Sequence, residues 1–515
     1  MKTHFNILFC FLSITSFLWG QNFDANWIGH FSYLNIKKVV NADTKFYAAS
    51  ENALFSYDLQ TNRLSTITTI NGLSGELIST LHYSNEYQLL MIGYENGLIE
   101  VYSENDQEVL KVVDIVNKVT IPSSQKKINH FNELNSLVYI ATDYGISVYN
   151  LESLEFGDSY YIGANGSQIQ VSQTAIFNNE IYAACGSNSG IKKASLSNSN
   201  LTDFQLWSSL GSGDFKAVTV FDSGLYTVNS ANTLFEINGT TLTLLSNYSQ
   251  PVAELNTSNN SLLVTTNSKV YEYELGFTLT NTYSTNPDFD TNFNAALKID
   301  AVVYIGTTDY GVLKSNPLDP SGFDEIHPIG PLKNTVFSLS HGYGNLWVSY
   351  GDYSIGFNPY PLRYYGISNY ENSEWVNTSY DSIRDTTGAP VSSLNRISIN
   401  TFNPNQVYIS SYHHGLLDFK KGESITLLDD SNSSLESLVN PDNPNYKSIR
   451  ISGSTFDRDG NLWVLNSRVN NALKKFNPTS SSWTSYDFSS IIENPFSDEN
   501  GFSEVVIGPD GTKWI

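Results

Sequence analysis

The sequence predicts an all-β protein made of two β-propellers with four-stranded antiparallel blades, the first about seven-bladed and the second truncated. Three observations carry this prediction: one short motif recurs along the whole chain, a turn glycine follows many of its copies, and the composition suits strands. Of the 515 residues, 40% are hydrophobic and 15% are charged, with 32 Tyr and 8 Trp. Aromatic and β-branched residues favour short strands joined by polar turns. The chain shows no long stretch with the apolar period of about 3.6 residues that indicates an amphipathic helix.

The repeated motif is an apolar residue, an aromatic residue, an aliphatic residue and then a small residue such as Gly93 or Gly306. From Tyr47 to Tyr304 the aromatic position recurs about every 43 residues, which is the length of one propeller blade. From Trp347 onwards the interval lengthens to about 56 residues, which indicates a second propeller with longer loops. We interpret the motif as the innermost strand of each blade, where crowding at the axis favours the small residue. The copies begin at Phe46, Leu90, Val138, Ile181, Leu225, Leu262, Val303, Leu346, Val407, Leu462 and Lys513.

A turn-forming stretch, 328–331, lies where the interval changes. A strand within 27–40, or residues after 515, could complete the last blade of the first ring. The last copy of the motif stops at Ile515, so we expect the sequence to be a fragment that lacks the rest of the second propeller. The expected parts are a signal peptide in 1–20, a first propeller in 21–330 and an incomplete second propeller in 331–515.

The first twenty residues have the pattern of a secretory signal peptide. Lys2 and His4 precede an apolar run that is too short to span a bilayer, and Gly20 is a small residue at the expected cleavage point. The mature chain would keep Cys185 as its one cysteine and could form no internal disulfide. No later apolar stretch approaches the ~18 residues of a transmembrane segment. We therefore expect an exported protein, at the cell surface or associated with the outer membrane, in the periplasm or outside the cell.

The net charge of −23 argues against a broad face for nucleic acid, because an acidic surface repels phosphate. A local cationic patch stays possible. Five lysine pairs are candidates for contacts with an anionic ligand, although each is also typical of a solvated loop or an edge strand. The pairs are Lys37-Lys38, Lys126-Lys127, Lys192-Lys193, Lys420-Lys421 and Lys474-Lys475.

Three further motifs favour structural roles. The stretch 457–461, Asp-Arg-Asp-Gly-Asn, resembles the start of a calcium loop but runs into a core strand, so we expect a tight turn. The pair His413-His414 makes a poor chelate, and we expect it on a solvent-exposed blade turn. Cys185 follows a small-residue position and is expected to be buried. We assign no catalytic, cofactor-binding or metal-binding residue, and the ligand-binding residues stay unknown.

The opening of the mature chain carries a family resemblance. Its segments are NWIGHFSYLNIKKVVNADTKFYAASENALFSYD (26–58) and INGLSGELISTLHYSNEYQLLMIGYENGLIEVY (70–102). The matching elements are Trp27, His30, Ser32-Tyr33, Phe46-Tyr47-Ala48, Leu54-Phe55 and Asn71-Gly72-Leu73-Ser74. These segments resemble the N-terminal propeller of the PorZ family, components of the type IX secretion system of Bacteroidota. The later copies FDRDGNLWVLN and IGPDGTKWI are similar to the regulator-type propeller repeat that PorZ-like proteins use in their second propeller.

The resemblance implies a protein that is not an enzyme and uses no cofactor. PorZ-like proteins have two seven-bladed propellers and a small C-terminal β-sandwich domain, which this sequence would lack. They work at the cell surface in an attachment complex with a sortase and outer-membrane proteins, and they help to supply anionic lipopolysaccharide as the anchor of secreted proteins. The alternative is a carbohydrate-sensing ectodomain with regulator-type propellers. A third reading, an extracellular lyase or hydrolase, would need a charged cluster at a propeller face.

Overall fold

The computed structural model describes residues 28–496 and 501–515, so the predicted signal peptide, and Trp27 of the family resemblance, lie outside the described residues. The chain divides into two compact units, Met1–Pro328 (the first unit) and Ile329–Ile515 (the second unit). Within the described ranges there are ten four-stranded sheets and one two-stranded sheet, all antiparallel. The prediction of an all-β fold with four-stranded antiparallel blades is confirmed.

The first unit contains seven of these sheets over its described residues, and each sheet takes four strands that are consecutive in the chain. Residues with positive φ, such as Asp43 and Asn135, reverse the chain in the tight turns between strands. The strands are β1 Lys38–Ala42, β2 Lys45–Ala49, β3 Leu54–Asp58, β4 Leu64–Ile67, β5 Ile78–Ser84, β6 Leu89–Tyr94, β7 Ile99–Ser103, β8 Glu108–Val112, β9 Ile128–Leu134, β10 Leu137–Thr142, β11 Gly145–Asn150, β12 Glu155–Tyr160, β13 Val171–Phe177, β14 Glu180–Cys185, β15 Ile191–Ser195, β16 Ser208–Leu210, β17 Phe215–Phe221, β18 Gly224–Asn229, β19 Thr233–Asn238, β20 Thr241–Asn247, β21 Val252–Ser258, β22 Ser261–Thr266, β23 Lys269–Glu274, β24 Thr278–Ser284, β25 Phe293–Ile299, β26 Val302–Thr307, β27 Val312–Asn316 and β28 Asp319–Ile326.

The seven sheets form a closed ring. The first strand of each sheet contacts the first strand of the next, and β25 of the last sheet contacts β1 of the first. The backbone N–H of Ile36 donates to the carbonyl of Thr307 (2.8 Å), and the N–H of Gly311 donates to the carbonyl of Leu34 (2.8 Å). The seventh sheet has four strands of its own, so the expectation that 27–40 could supply its last strand is wrong for the described residues 28–40, which instead lead into β1.

The interpretation of the repeated motif as the innermost strand is also wrong. The motif lies on the second strand of each sheet, for example β6 and β26, while the first strand lies nearest the axis. Its small residue makes room for the neighbouring blade. A Cβ atom on Gly93 would lie 2.7 Å from Cγ2 of Ile128, and one on Gly306 would lie 2.7 Å from Cγ2 of Ile36. Both distances are far inside van der Waals contact. Only glycine at positions 93 and 306 therefore leaves room for the residue that leads into the next blade.

Apolar clusters fill the spaces between neighbouring sheets. At the ring closure, Ile36 and Phe46 of the first blade are buried with Tyr304 and Ile326 of the seventh. Each such side chain contributes about 1.5–3 kcal/mol when it leaves water. The described residues of the first unit are thus held together by packing between blades and contain no disulfide, and Cys185 is a free buried thiol.

The second unit contains three four-stranded sheets and a final two-stranded sheet within its described residues. The three four-stranded sheets have the antiparallel form predicted for propeller blades. In the described part of this unit, a single α-helix, α1 Tyr380–Thr387, lies between the first two sheets along the chain. It begins after Ser379, whose side chain accepts from the N–H of Ser382, and it ends before Gly388, which has φ 66°. The strands are β29 Ser338–Gly342, β30 Asn345–Ser349, β31 Ile367–Glu371, β32 Glu374–Thr378, β33 Leu394–Ile399, β34 Gln406–Ser411, β35 Gly415–Lys420, β36 Ser424–Leu428, β37 Arg450–Phe456, β38 Leu462–Ser467, β39 Leu473–Asn477, β40 Ser482–Tyr486, β41 Val506–Ile507 and β42 Lys513–Trp514.

Among the described residues, no helix has the length and apolar character needed to cross a membrane.

Candidate functional site

The first strands of the first unit share one irregularity. Across the described residues of this unit, six of these strands skip one residue in their pairing with the second strand, which is a β-bulge near the strand's beginning. In β1 the N–H of Lys37 donates to the carbonyl of Ala49 (2.8 Å), and Lys38 also faces Ala49, so Lys37 takes the equivalent place. A bulge redirects one side chain out of the regular alternation. The seven bulge positions are Lys37, Ser79, Asn129, Ser172, Lys216, Ala253 and Asn294.

All seven bulge residues line a single cavity of about 160 Å³, which we call the axial cavity. The residue after the bulge contributes to the lining in six blades, as Lys38, Thr80, His130, Gln173, Ala217 and Glu254. Because every first strand begins at this end, the cavity lies at the start of the inner strands, where they converge. The lining is dominated by lysine, amide and hydroxyl groups, so it suits a polar ligand.

Three bulge side chains each link their own blade to the following one. Ser79 Oγ donates to the carbonyl of Ile128 (2.6 Å). Asn129 Nδ2 donates to the carbonyl of Val171 (2.9 Å). Asn294 Nδ2 donates to the carbonyl of Ile36 (2.9 Å). In each case the acceptor immediately precedes the bulge of the following blade, so these residues fix the shape of the cavity's wall.

Two contacts cross the ring between blades that are not neighbours. Lys38 of the first blade forms an ion pair with Glu254 of the sixth, and the other oxygen of Glu254 accepts from the N–H of Ala296 (2.8 Å). Gln173 Nε2 of the fourth blade donates to the carbonyl of Leu255 of the sixth (3.4 Å). Both side chains of the ion pair are largely buried. The charge of Lys38 is therefore compensated within the protein.

Two lysines of the axial cavity have no such compensation. Lys37 is exposed, and its ammonium has no hydrogen-bond or ion-pair partner among the described residues. Lys216 Nζ donates to Oδ1 of Asn232 (3.0 Å), a neutral partner, and partial burial lowers the pKa of Lys216. The described lining thus carries three lysines and a single carboxylate, Glu254. This excess of positive charge stands in a chain whose net charge is −23.

His130 adds an imidazole ring to the lining of the axial cavity. Its Nδ1 atom is buried and has no hydrogen-bond partner within the described structure. Burial lowers the pKa of His130 well below its ordinary value, and the nearby Lys38 and His82 lower it further. The ring is therefore neutral near pH 7, with one nitrogen as donor and one as acceptor. His82 itself contacts Glu133, with 2.6 Å between Nε2 and Oε2.

The other lysine pairs of the sequence analysis mostly make contacts within the fold. Lys126 is buried, and Lys474 is fully buried, so neither ammonium faces a ligand. Lys420 and Lys475 lie on β35 and β39. The contacts are Lys126 Nζ to the carbonyl of Val116 (2.5 Å), Lys127 to Glu95 (3.0 Å), Lys192 to Ser209 (2.7 Å), Lys193 to Glu180 (2.9 Å), Lys421 to Glu371, and Lys474 to Glu436 (2.6 Å).

Sequence reasoning singled out Lys37-Lys38 but missed Lys216 and the cavity as a whole. A positional signal exists. Each bulge residue lies ten positions before the motif's second position, as Lys37 does before Tyr47 and Lys216 before Tyr226, except for Ser79, which lies twelve before Met91. Alignment of the copies on that position would have brought six of the seven bulge residues into one column, although their side chains are unrelated.

The pair His413-His414 does not lie on a solvent-exposed turn, so that expectation is wrong. His413 is buried, with its Nδ1 2.8 Å from Ser448 Oγ, and His414 Nδ1 accepts from the N–H of Ser392 (3.2 Å). The segment before β37 covers the turn, where His414 pairs with Ile449. Burial, above all, lowers the pKa of each histidine to about 4. No group of three or more candidate metal ligands occurs among the described residues.

The stretch 457–461 forms a turn whose carboxylate is occupied by protein donors. Asp457 Oδ1 accepts from the N–H groups of Asp459 (3.0 Å) and Asn461 (2.9 Å), and Oδ2 accepts from Nε1 of Trp463 (2.8 Å). Gly460 has φ 79°, which favours glycine. Cys185 is buried against its own strand, with Sγ 3.3 Å from the carbonyl of Ala183, and burial raises the pKa of the thiol to about 12. A thiol in this state is a poor nucleophile.

Comparison with known proteins identifies relatives of this architecture. The family model described as the PorZ N-terminal β-propeller domain of the type IX secretion system matches residues 46–208. Among solved structures, the chain is similar to PorZ, described as an essential bacterial surface component of the type-IX secretion system of Porphyromonas gingivalis. The TM-score is 0.81 at 18% identity, over 95% of this chain and 63% of the PorZ chain.

A structure of the mitotic checkpoint complex is also similar, with a TM-score of 0.41 at 12% identity over 54% of this chain and 85% of that chain. No curated protein matches the sequence. The chain spans less than two thirds of the PorZ chain that it matches. Residues 46–208 therefore match the PorZ N-terminal β-propeller domain, and the chain is similar in fold to PorZ over 95% of its length, as the sequence resemblance indicated.

Proposed function

We propose that this protein is a non-enzymatic surface component of the type IX secretion system. The observation that carries the proposal is the match of residues 46–208 to the PorZ N-terminal propeller family. PorZ itself is described as an essential bacterial surface component of that system. The protein would act at the cell surface or outer membrane of a member of the Bacteroidota, after export by a signal peptide in 1–20. A ring of rigid blades provides broad faces and rims on which other proteins can assemble.

The finer part of the proposal is that the protein binds anionic lipopolysaccharide and delivers it to a sortase within an attachment complex. Support comes from the axial cavity, where Lys37 and Lys216 place two positive charges on one lining in a chain of net charge −23. Charge-assisted hydrogen bonds from lysine are a common means of holding phosphate or carboxylate groups. The non-enzymatic role is supported by the buried thiol of Cys185 and by His413 and His414, both of which are hydrogen-bonded to serines.

The test is deletion of the gene in the native bacterium, followed by fractionation of the cargo proteins of the type IX system. We expect cargo to lose its attachment to the cell surface, while its synthesis stays at the normal level. Reintroduction of the intact gene should restore attachment. Cargo that stays anchored in the deletion strain would contradict the proposal. A sensory ectodomain would instead change transcription and leave attachment intact, so the same strain separates the two functions.

A further inference from the structure

We propose that the axial cavity of the first unit is an oxyanion-binding site, which holds the phosphate or carboxylate group of an acidic sugar through Lys37 and Lys216. The acidic sugar as the source of the oxyanion rests on the proposed function. The oxyanion site itself rests only on the charges and geometry of the cavity.

The charge balance of the lining is the first argument. Glu254 neutralises Lys38, so Lys37 and Lys216 are left as two uncompensated positive charges on one cavity. Like charges that share a low-dielectric site disfavour one another, and partial burial already lowers the pKa of Lys216. A bound oxyanion relieves both costs. A cation would meet no free carboxylate among the described lining residues, and an apolar ligand would leave the lysines unsolvated.

The size of the cavity is the second argument. A volume of about 160 Å³ corresponds to roughly five water molecules at ~30 Å³ each. That space admits a phosphate or a carboxylate with part of one sugar ring. Exposure of Lys37 indicates that the cavity opens to solvent on its side, where the remainder of a glycan could leave.

The arrangement of neutral groups is the third argument. The neutral imidazole of His130 is among the lining groups. The hydroxyl of Ser172 and the amide of Gln173 lie on the same lining. The wall is held by the hydrogen bonds of Ser79, Asn129 and Asn294 to neighbouring blades. Because these groups sit on strands and not on loops, the site is organised before a ligand arrives.

The experiment is calorimetric titration of the purified chain at pH 7 and low ionic strength with inorganic phosphate, D-galacturonate and D-galactose. We expect one oxyanion bound per chain, weaker binding at high salt, and no binding of neutral galactose. Lys37→Gln and Lys216→Gln should each weaken binding about tenfold or more, because each removes a hydrogen bond to a charged group. Lys37→Arg should retain most of the affinity. Lys269→Gln removes the same charge from an exposed position of β23 outside the cavity and should have no effect.

The outcomes are distinct. Binding of phosphate alone or galacturonate alone supports the site and fixes the class of anion. Absence of binding by both, or equal binding by the wild-type chain and the folded Lys37→Gln and Lys216→Gln variants, overturns the proposal. If an oxyanion binds in the cavity while gene deletion leaves cargo anchored, the site stands and the proposed function falls. If deletion abolishes anchoring while no oxyanion binds, the proposed function stands and the oxyanion site falls.

Discussion

Replacement of Gly93 by alanine should destabilise the first unit, although alanine is ordinarily the better residue in a strand. The added methyl group would lie 2.7 Å from Cγ2 and 2.9 Å from Cβ of Ile128, and 2.9 Å from Cγ2 of Thr80. Ile128 begins the first strand of the next blade and is fully buried, so it has no free space into which to move. Overpacking of this kind costs about 1–3 kcal/mol.

Alanine also has less conformational freedom than glycine in the unfolded chain, which stabilises the folded state by about 0.4–1 kcal/mol. The net destabilisation should therefore be about 1–2 kcal/mol. Gly157→Ala is the matched control. Gly157 lies on the outer strand β12, and an added Cβ there would come no closer than 3.4 Å to another atom. This control should be neutral or slightly stabilising.

The assay is urea-dependent hydrogen–deuterium exchange followed by mass spectrometry of peptides within 78–142, which isolates the first unit from the second. A loss of 1–2 kcal/mol raises the population of the open state by about 5- to 30-fold. If Gly93→Ala exchanges as slowly as the wild-type protein, the conclusion that neighbouring blades pack against the motif's small residue is refuted.

Two further predictions concern other parts of the fold. Asn294→Ala removes the hydrogen bond to the carbonyl of Ile36 at the ring closure, so the first unit should lose about 1–3 kcal/mol. Peptides covering 34–42 should then exchange faster. Unchanged exchange there would argue that this hydrogen bond does not stabilise the junction of the first and seventh blades. For His413, the folded pKa of about 4 lies below the ordinary 6.5, so its contribution to stability is complete above pH 6.5 and is lost as the pH falls towards 4. The second unit should lose up to about 1.4 kcal/mol per pH unit in this range from this residue. Urea unfolding of His413→Asn should show a shallower pH dependence, and an identical slope would rule out the buried, neutral state.

The repeat was predictable because the second strand of each blade is buried on both faces. In β6, for example, every residue after Leu89 is buried, so aromatic, aliphatic and small residues recur with little variation. The same burial explains why the interpretation of this strand as the innermost one was wrong. A strong apolar signal reports packing between blades, and it does not report distance from the axis.

The axial cavity could not be predicted in the same way. Its lining residues lie about 40 positions apart and share no chemistry, as Lys37, Ala253 and Asn294 illustrate. The bulges also break the two-residue alternation that marks a strand in a sequence. The burial of His413 escaped prediction for a related reason. The covering segment, around Ser448 and Ile449, lies 35 residues further along the chain and has no pattern that pairs it with a turn.

The bulge positions separate two tasks that most binding sites combine in the same residues. Ser79, Asn129 and Asn294 link neighbouring blades, whereas the side chains of Ser172 and Ala253 line the cavity and form no hydrogen bond between blades among the described residues. The side chains at these last two positions could therefore be exchanged for charged, aromatic or metal-binding ones while the backbone keeps its shape. These bulge positions can therefore vary independently of the fold, and relatives or engineered versions could acquire new ligand preferences by changing one or two residues.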